Sequence, residues 1–187
     1  MSLSVTLADA NILVSRTLRD YFVYAAKSGA LQIHWSPMIL EETSRNLVAK
    51  FGHTVEDADV LVDRLSLYLP QALVETRKRD ETTVADVAMD DKDRHVLAAA
   101  LSAKADVLLT DNTPDFPKEW MAERGIELVD SGTLLQRLAA KHPNELHGAH
   151  RMTVERSPKS EDEVLATLER IIGPDAANAV RAVVTAP

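Results

Sequence analysis

The 187-residue chain reads as an α/β protein: helices on both faces of a central parallel sheet, three layers in all, with a small helical extension at the C-terminal end. Three observations predict this. Short aliphatic runs that suit buried strands stand at 4–8, 31–35, 106–110 and 126–129. Between them lie longer stretches with apolar residues at helical spacing, and strands joined by such helices imply parallel pairing through right-handed crossovers. Acidic residues gather where the strands end or helices begin, the edge at which ligands bind in sheets of this kind.

Each element has its own signal. Ser4 to Ala8 is rich in Val, Leu and Thr and ends at Asp9. Asn11 to Ser28 follows as a helix carrying Ile12, Leu13, Leu18, Phe22, Val23 and Ala26, closed by Gly29. After the strand Leu31 to Trp35, Ser36-Pro37 supplies an N-cap with proline at the first helical position, and Gly52 closes that helix. Val55 to Leu69 is helical, with Val60, Leu61, Leu65 and Leu69 inward and Pro70 as its stop. Gln71 to Val74 reads as a short strand, and Glu75 to Glu81 as a solvated loop or edge.

Asp93 to Lys104 is a helix, Asp106 to Thr110 a strand, Pro117 to Arg124 a short helix, Ile126 to Val129 the last strand, and Ser131 to Lys141 a helix again. His142 to Ser160 is polar and aperiodic, and reads as a linker or extended arm. Ser160 and Glu163 form a capping box that opens a helix through Ile172, Gly173-Pro174 breaks it, and Asp175 to Val184 is a last short helix. Two short helices cannot bury their apolar faces alone. They must pack on the main domain, on another copy or on a partner.

Composition bounds the function. Hydrophobic residues make up 45% of the chain and aromatics only 4%, so aliphatic side chains build the core. No run approaches the roughly 20 apolar residues of a membrane span, and no secretory signal opens the sequence. The absence of cysteine excludes disulfides and thiolate metal sites and points to a cytoplasmic protein. A net charge of −8 argues against coating nucleic acid by bulk electrostatics. It leaves room for a nuclease, because clustered acid is offset locally by bound metal.

Four acidic groups carry the chemistry: Asp9, the pair Glu41-Glu42, the run Asp90 to Asp93, and Asp111 to Asp115. Carboxylates that converge from separate elements repel one another unless a cation sits among them. A hard divalent ion with oxygen ligands suits phosphoryl chemistry. Taken singly, Asp9 serves equally as a helix cap, and helical periodicity does not choose between Glu41 and Glu42. Asp93 shares a helical face with Val96, Leu97 and Ala100 and must point toward the core edge, with Asp90 able to cap. The 110–116 segment, TDNTPDF, also suits a simple turn. His147 and His150 have a spacing that suits zinc but lack companion ligands, and His95 lies half-buried beside Asp93.

Four blocks, VTLADANILVS, SPMILEETSRNL, DDKDRHVLAAALSAKADVLLT and TDNTPDFP, resemble the PIN-domain family, and within it the VapC-like toxins of toxin–antitoxin pairs. The resemblance covers roughly Val5 to Ser131, which makes 1–131 a PIN-like unit and 132–187 the helical extension with its polar linker. It implies a Mg2+- or Mn2+-dependent endoribonuclease, silenced by a cognate antitoxin and paired as a homodimer. The family's acids fall on Asp9, Glu42, Asp93 and Asp115, with Asp9, Asp93 and Asp115 on the metal and Asp111 an extra acid alongside. Thr110, Asn112 and Arg94 would support phosphate or metal-bound water. Lys92, Arg16 and Arg19 lie close enough in sequence to contact RNA backbone, or are simply solvated. The amphipathic helix Glu161 to Ile172 is the expected surface for antitoxin or dimer contacts. Two other readings compete: a PIN fold that binds RNA or protein without cutting, and a receiver-type signalling module. The receiver needs a phospho-acceptor Asp after its middle strand and a Lys after its last, whereas Val84 to Ala88 leads into an acidic run and Val129 is followed by Asp-Ser-Gly.

Overall fold

The structure, a computed structural model, describes residues 4–185; the outermost residues of the two expected units, 1–3 and 186–187, lie outside the described residues. Four short strands form one all-parallel sheet: β1 (Val5–Ala8), β2 (Gln32–His34), β3 (Val107–Leu109) and β4 (Glu127–Val129), in the order β2-β1-β3-β4. Thr6 pairs with Ile33 on one side and Val107 on the other, and Leu108 pairs with Leu128. The chain leaves β1 toward β2 in one direction and β3 toward β4 in the other. The switch point therefore lies between β1 and β3, where Ala8 is level with Leu109. Asp9 and Thr110 follow those two residues directly.

Local chemistry explains most of the helices. Ser36 caps α3 (Pro37–Phe51) from its side chain, proline takes the first turn, and Gly52 ends the helix at φ +71, a conformation glycine reaches without strain. Thr54 caps α4 (Val55–Tyr68). The expected helix from Asn11 to Ser28 is two, α1 (Ala10–Val14) and α2 (Arg16–Lys27), because Ser15 adopts an extended backbone and caps the second. The apolar rhythm runs through that single-residue break, so periodicity alone does not reveal it.

Three other expectations are corrected. No strand forms at 71–74: Pro70–Ala72 is a 3-10 turn, and only an isolated bridge joins Leu73 to Trp35. Part of the expected loop at 75–81 is helical, α5 (Lys78–Val84), held because Asp80 accepts from both Arg77 and Ser102. Val60 does not point inward but is 42% exposed. Residues 85–89 form turns between α5 and a 3-10 turn at Asp91–Asp93, so the acceptor-bearing middle strand of a receiver module is missing there.

The central core lies where α6 (Arg94–Ala103) packs on β1 and β3, with Leu97 and Leu108 fully buried. Each such side chain contributes about 1.5–3 kcal/mol relative to exposure. Past α7 (Lys118–Ala122) and β4, α8 (Ser131–Lys141) leads directly into α9 (Pro143–Glu155). The predicted linker at 142–160 is therefore largely helix. Its buried stripe, Leu146, Ala149, His150 and Thr153, packs along α2. His150 accepts or donates at Nδ1 to the Tyr21 hydroxyl at 2.6 Å and meets Glu161 at 3.0 Å through Nε2. It is a tether between α2 and the extension, not one of a pair of zinc ligands.

The predicted capping box at Ser160 and Glu163 opens α10 (Glu161–Ile172), and α11 (Pro174–Val184) follows. Val164, Leu165 and Leu168 of α10 are buried within the chain, so this apolar face is already covered by α2, α8 and α11. It is not the free partner surface expected from sequence. Among the described residues, no helix is long and apolar enough to cross a membrane.

Candidate active site

The carboxyl edge of β1 and β3 is knit by hydrogen bonds around Asp9. Its Oδ1 accepts from the Ala10 amide at 2.6 Å, which makes it the cap of α1; its Oδ2 accepts from Asn11 Nδ2 at 2.6 Å and Thr110 Oγ1 at 2.8 Å. The cap reading therefore holds for Oδ1, while Oδ2 belongs to a network with Asn11 and Thr110. Asn11 also donates to Thr110 Oγ1 and accepts from the Asp111 amide, so it staples the two strand ends together. Asn11 was absent from the sequence-based site; the signal available was its position two residues after an aspartate that ends a strand, an Asx pattern.

Asp93 is buried at the start of α6, as its helical phase predicts, and its Oδ2 has no hydrogen-bond partner. Burial pushes its carboxyl above the ordinary range; Lys92 opposes the rise, while Asp115, Asp90 and Glu42 add to it. Asp9 is pushed up to about 6, chiefly by burial, with Glu42 and Asp93 adding repulsion against the lowering bonds from Thr110 and Ala10. Asp9 thus feels the charges of Glu42 and Asp93, and Asp93 those of Asp115, Asp90 and Glu42. Lys92 Nζ, 4.0 Å from Asp93 and 3.7 Å from Asp115, ties those two together directly.

The ambiguous pairs separate cleanly. Glu41 is solvent-facing and pairs only with Arg45 at 3.9 Å. Glu42 instead meets His95 Nε2 at 3.3 Å, at the acidic edge. His95 also places Nδ1 2.9 Å from the Lys92 carbonyl, so that nitrogen donates. Asp111 turns to the start of α8, where its two oxygens accept from the Ser131 amide at 2.8 Å and hydroxyl at 2.9 Å. Asp115, in the 3-10 turn Thr113–Asp115, accepts from Asn112 Nδ2 and lies 3.7 Å from Lys92 Nζ.

The basic residues divide in the same way. Lys92 sits among Asp90, Asp93 and Asp115 at 3.4, 4.0 and 3.7 Å. Arg94 donates to the carbonyls of Val84, Val87 and Met89 and to Asp91, so it braces the 84–91 turn and is not a free cation at the site. Arg16 and Arg19 are likewise spent elsewhere: Arg16 reaches the Arg156 carbonyl, and Arg19 is buried against the Leu13 carbonyl and Asp20.

The residues fit a hard divalent ion by donor chemistry: oxygen ligands only, one of them a buried carboxylate oxygen without a partner. Among the described residues, no three acidic or histidine side chains already stand in ligand geometry. Three of the carboxylates instead lie around the Lys92 ammonium.

A pH experiment checks the electrostatics independently of any activity. With its folded-state value raised from 3.8 to about 6, Asp9 binds its proton more tightly in the folded protein than in the unfolded chain. Its ionisation therefore destabilises the metal-free fold as pH rises from about 4 to about 6, by about 3 kcal/mol in full. Urea unfolding of the wild type and Asp9→Asn at pH 4 and pH 7 should show the variant gaining relative stability at the higher pH. An equal difference at both pH values would refute the raised value.

A PIN-domain family model matches residues 5–114, which is more than half of the chain. No curated protein and no solved structure matches it. PIN domains are typically nucleases and usually use divalent metals. The matched span runs from the first residue of β1 to Pro114, so it takes in the switch point with Asp9, Glu42 and Asp93 and ends one residue before Asp115. By that match, and by a parallel sheet whose acids gather at that point, the chain belongs to the PIN-domain family.

Proposed function

We propose that this PIN domain is a Mg2+- or Mn2+-dependent endoribonuclease that hydrolyses RNA phosphodiester bonds, the toxin of a toxin–antitoxin pair. What supports the reading is the mutual repulsion of Asp9, Glu42 and Asp93, and of Asp93 and Asp115, beyond the carboxyl ends of β1 and β3, with one Asp93 oxygen buried and without a hydrogen bond. In this reading Asp9, Asp93 and Asp115 hold the ion, directly or through water, and Glu42 supports them. The bound ion supplies an acidified water and neutralises phosphate charge.

The chain's own residues do the rest. Thr110 and Asn11 fix the Asp9 Oδ2, so that its orientation is set before any ligand arrives. A carboxylate oxygen of the set that is not engaged with the ion can accept a proton from the attacking water. Lys92, with a side chain 65% exposed, can leave the carboxylates for an RNA phosphate. Asn112 orients Asp115. A cytoplasmic setting, a cognate antitoxin and a homodimer complete the proposal. They rest on the family resemblance, as does the division into a nuclease unit at 1–131 and an extension at 132–187.

Cleavage of a mixed single-stranded RNA substrate tests the reading and the fourth acid together. Cleavage should require Mg2+ or Mn2+ and stop on chelation; no cleavage with either ion would overturn the proposal. Asp115→Ala should lower the rate at least about tenfold. Asp111→Ala should instead lower stability by about 1–2 kcal/mol, through the lost bonds to Ser131, and leave the rate within a few-fold. The reverse pattern would move the fourth acid to Asp111.

A further inference from the structure

The residues on either side of Asp115, Pro114 and Phe116, line a groove of about 710 Å³. Val87 and Ala88, from the turn braced by Arg94, line one part; Pro114, Phe116 and Trp120 line another. Pro114 and Asp115 belong to the same 3-10 turn, so this groove and the carboxylate beside Lys92 share one three-residue segment. The support under it is firm, since Phe116 and Met121 are buried. Trp120 is half-buried, and the Arg124 guanidinium lies 3.6 Å from its ring centroid.

The polar groups lining this groove are Asp86 and Glu119 against the single ammonium of Lys118, together with threonine hydroxyls, and the Arg124 guanidinium beside Trp120 is itself paired with Glu123 at 3.5 Å. An excess of carboxylate repels phosphate. It accepts hydrogen bonds from ring N–H and exocyclic amino groups. An apolar wall with an indole, rimmed by acceptors, suits a nucleobase rather than the RNA backbone.

We propose that this groove is a base subsite: it takes the nucleobase flanking the scissile phosphate, packed against Trp120, and favours guanine over uracil. Guanine presents N1–H and the N2 amino group side by side to a carboxylate's two oxygens, whereas uracil offers one N–H between two carbonyls. The proposal rests on the ribonuclease reading for its substrate, but its geometry is separate from the acids that cut.

The full-length Asp93→Asn protein, titrated in Mg2+ with single-stranded hexanucleotides that differ in one base, tests it. The chain has two tryptophans and Trp35 is fully buried, so quenching on binding reports Trp120. A guanine-containing strand should quench the fluorescence and bind about tenfold more tightly than all-uridine RNA. Trp120→Ala, made in the same background, should erase that preference, and Trp120→Phe, which keeps an aromatic ring in place, should restore part of it. Absence of quenching, or a preference that survives in both variants, overturns the subsite. Active wild-type cleavage with an unchanged KM and base preference in Trp120→Ala would remove the subsite and leave the ribonuclease standing. Trp120-dependent binding by a protein that cleaves no RNA would do the opposite.

Discussion

Substitution of Asp93 by Asn is expected to lower metal-dependent RNA cleavage by at least about 100-fold while leaving the melting temperature unchanged or higher. The two halves of that result come from one geometry. Asp93 is buried, its Oδ2 receives no hydrogen bond, and Asp115, Asp90 and Glu42 all oppose its charge. A carboxylate in that position is a cost to the metal-free fold, and an amide of the same shape relieves it. Residues that exist for packing behave otherwise: Leu97→Ala, at a fully buried position in the same helix, should cost about 2–5 kcal/mol. Asp9→Asn should also lower the rate, but both Asp9 oxygens accept hydrogen bonds and an amide nitrogen cannot, so it should cost stability where Asp93→Asn does not. Rates measured with Mn2+ alongside thermal melts decide the matter. A variant that keeps its rate would remove Asp93 from the site, and one that loses rate only because it unfolds would make it structural.

The second large effect concerns the extension. A chain ending at Lys141 should fail to give a cooperative thermal transition. It lacks α9, α10 and α11, which pack on α2 and α8. The loss removes the buried side chains Leu146, Val164, Leu165, Leu168 and Val180 and uncovers Tyr21, whose hydroxyl is bonded to His150. At about 1.5–3 kcal/mol for each large side chain, the total reaches the 5–15 kcal/mol that holds a typical domain folded. Circular dichroism melts and sedimentation of the truncated chain would test this. A sharp transition within a few degrees of the full chain's would mean that the extension is an appendage. The structure instead makes it part of the continuous core.

Several features were readable before any coordinates because they follow from short-range rules. Ser36-Pro37 and Gly52 bracket α3, and Ser160 with Glu163 opens α10, since a cap involves residues within one turn of each other. The burial of Asp93 followed from its phase relative to Val96 and Leu97. The break at Ser15 and the helix α9 were not readable. An apolar rhythm continues across a one-residue kink. In α9, glycine and histidines dilute the stripe of Leu146, Ala149 and Thr153, and His150 becomes a core residue only because Tyr21 supplies a partner 129 positions away. Arg94 resembled a phosphate ligand by its neighbours in sequence and proved to be a brace, because the 84–91 turn folds back onto it.

The α/β class and the acid-lined strand edge are consequences of periodicity, composition and capping, and these act between residues a few positions apart. The PIN family and the four carboxylate blocks are visible at that level too. Membership of the site depends on where separate segments arrive. Asp111 and Asp115 are four residues apart with the same side chain, yet Ser131 takes one and Lys92 sits against the other. Glu41 and Glu42 are adjacent, yet one meets solvent and Arg45 and the other His95. Carboxylates are chemically equivalent along a chain, and only the partners brought to them by packing make one a cap and another a candidate ligand.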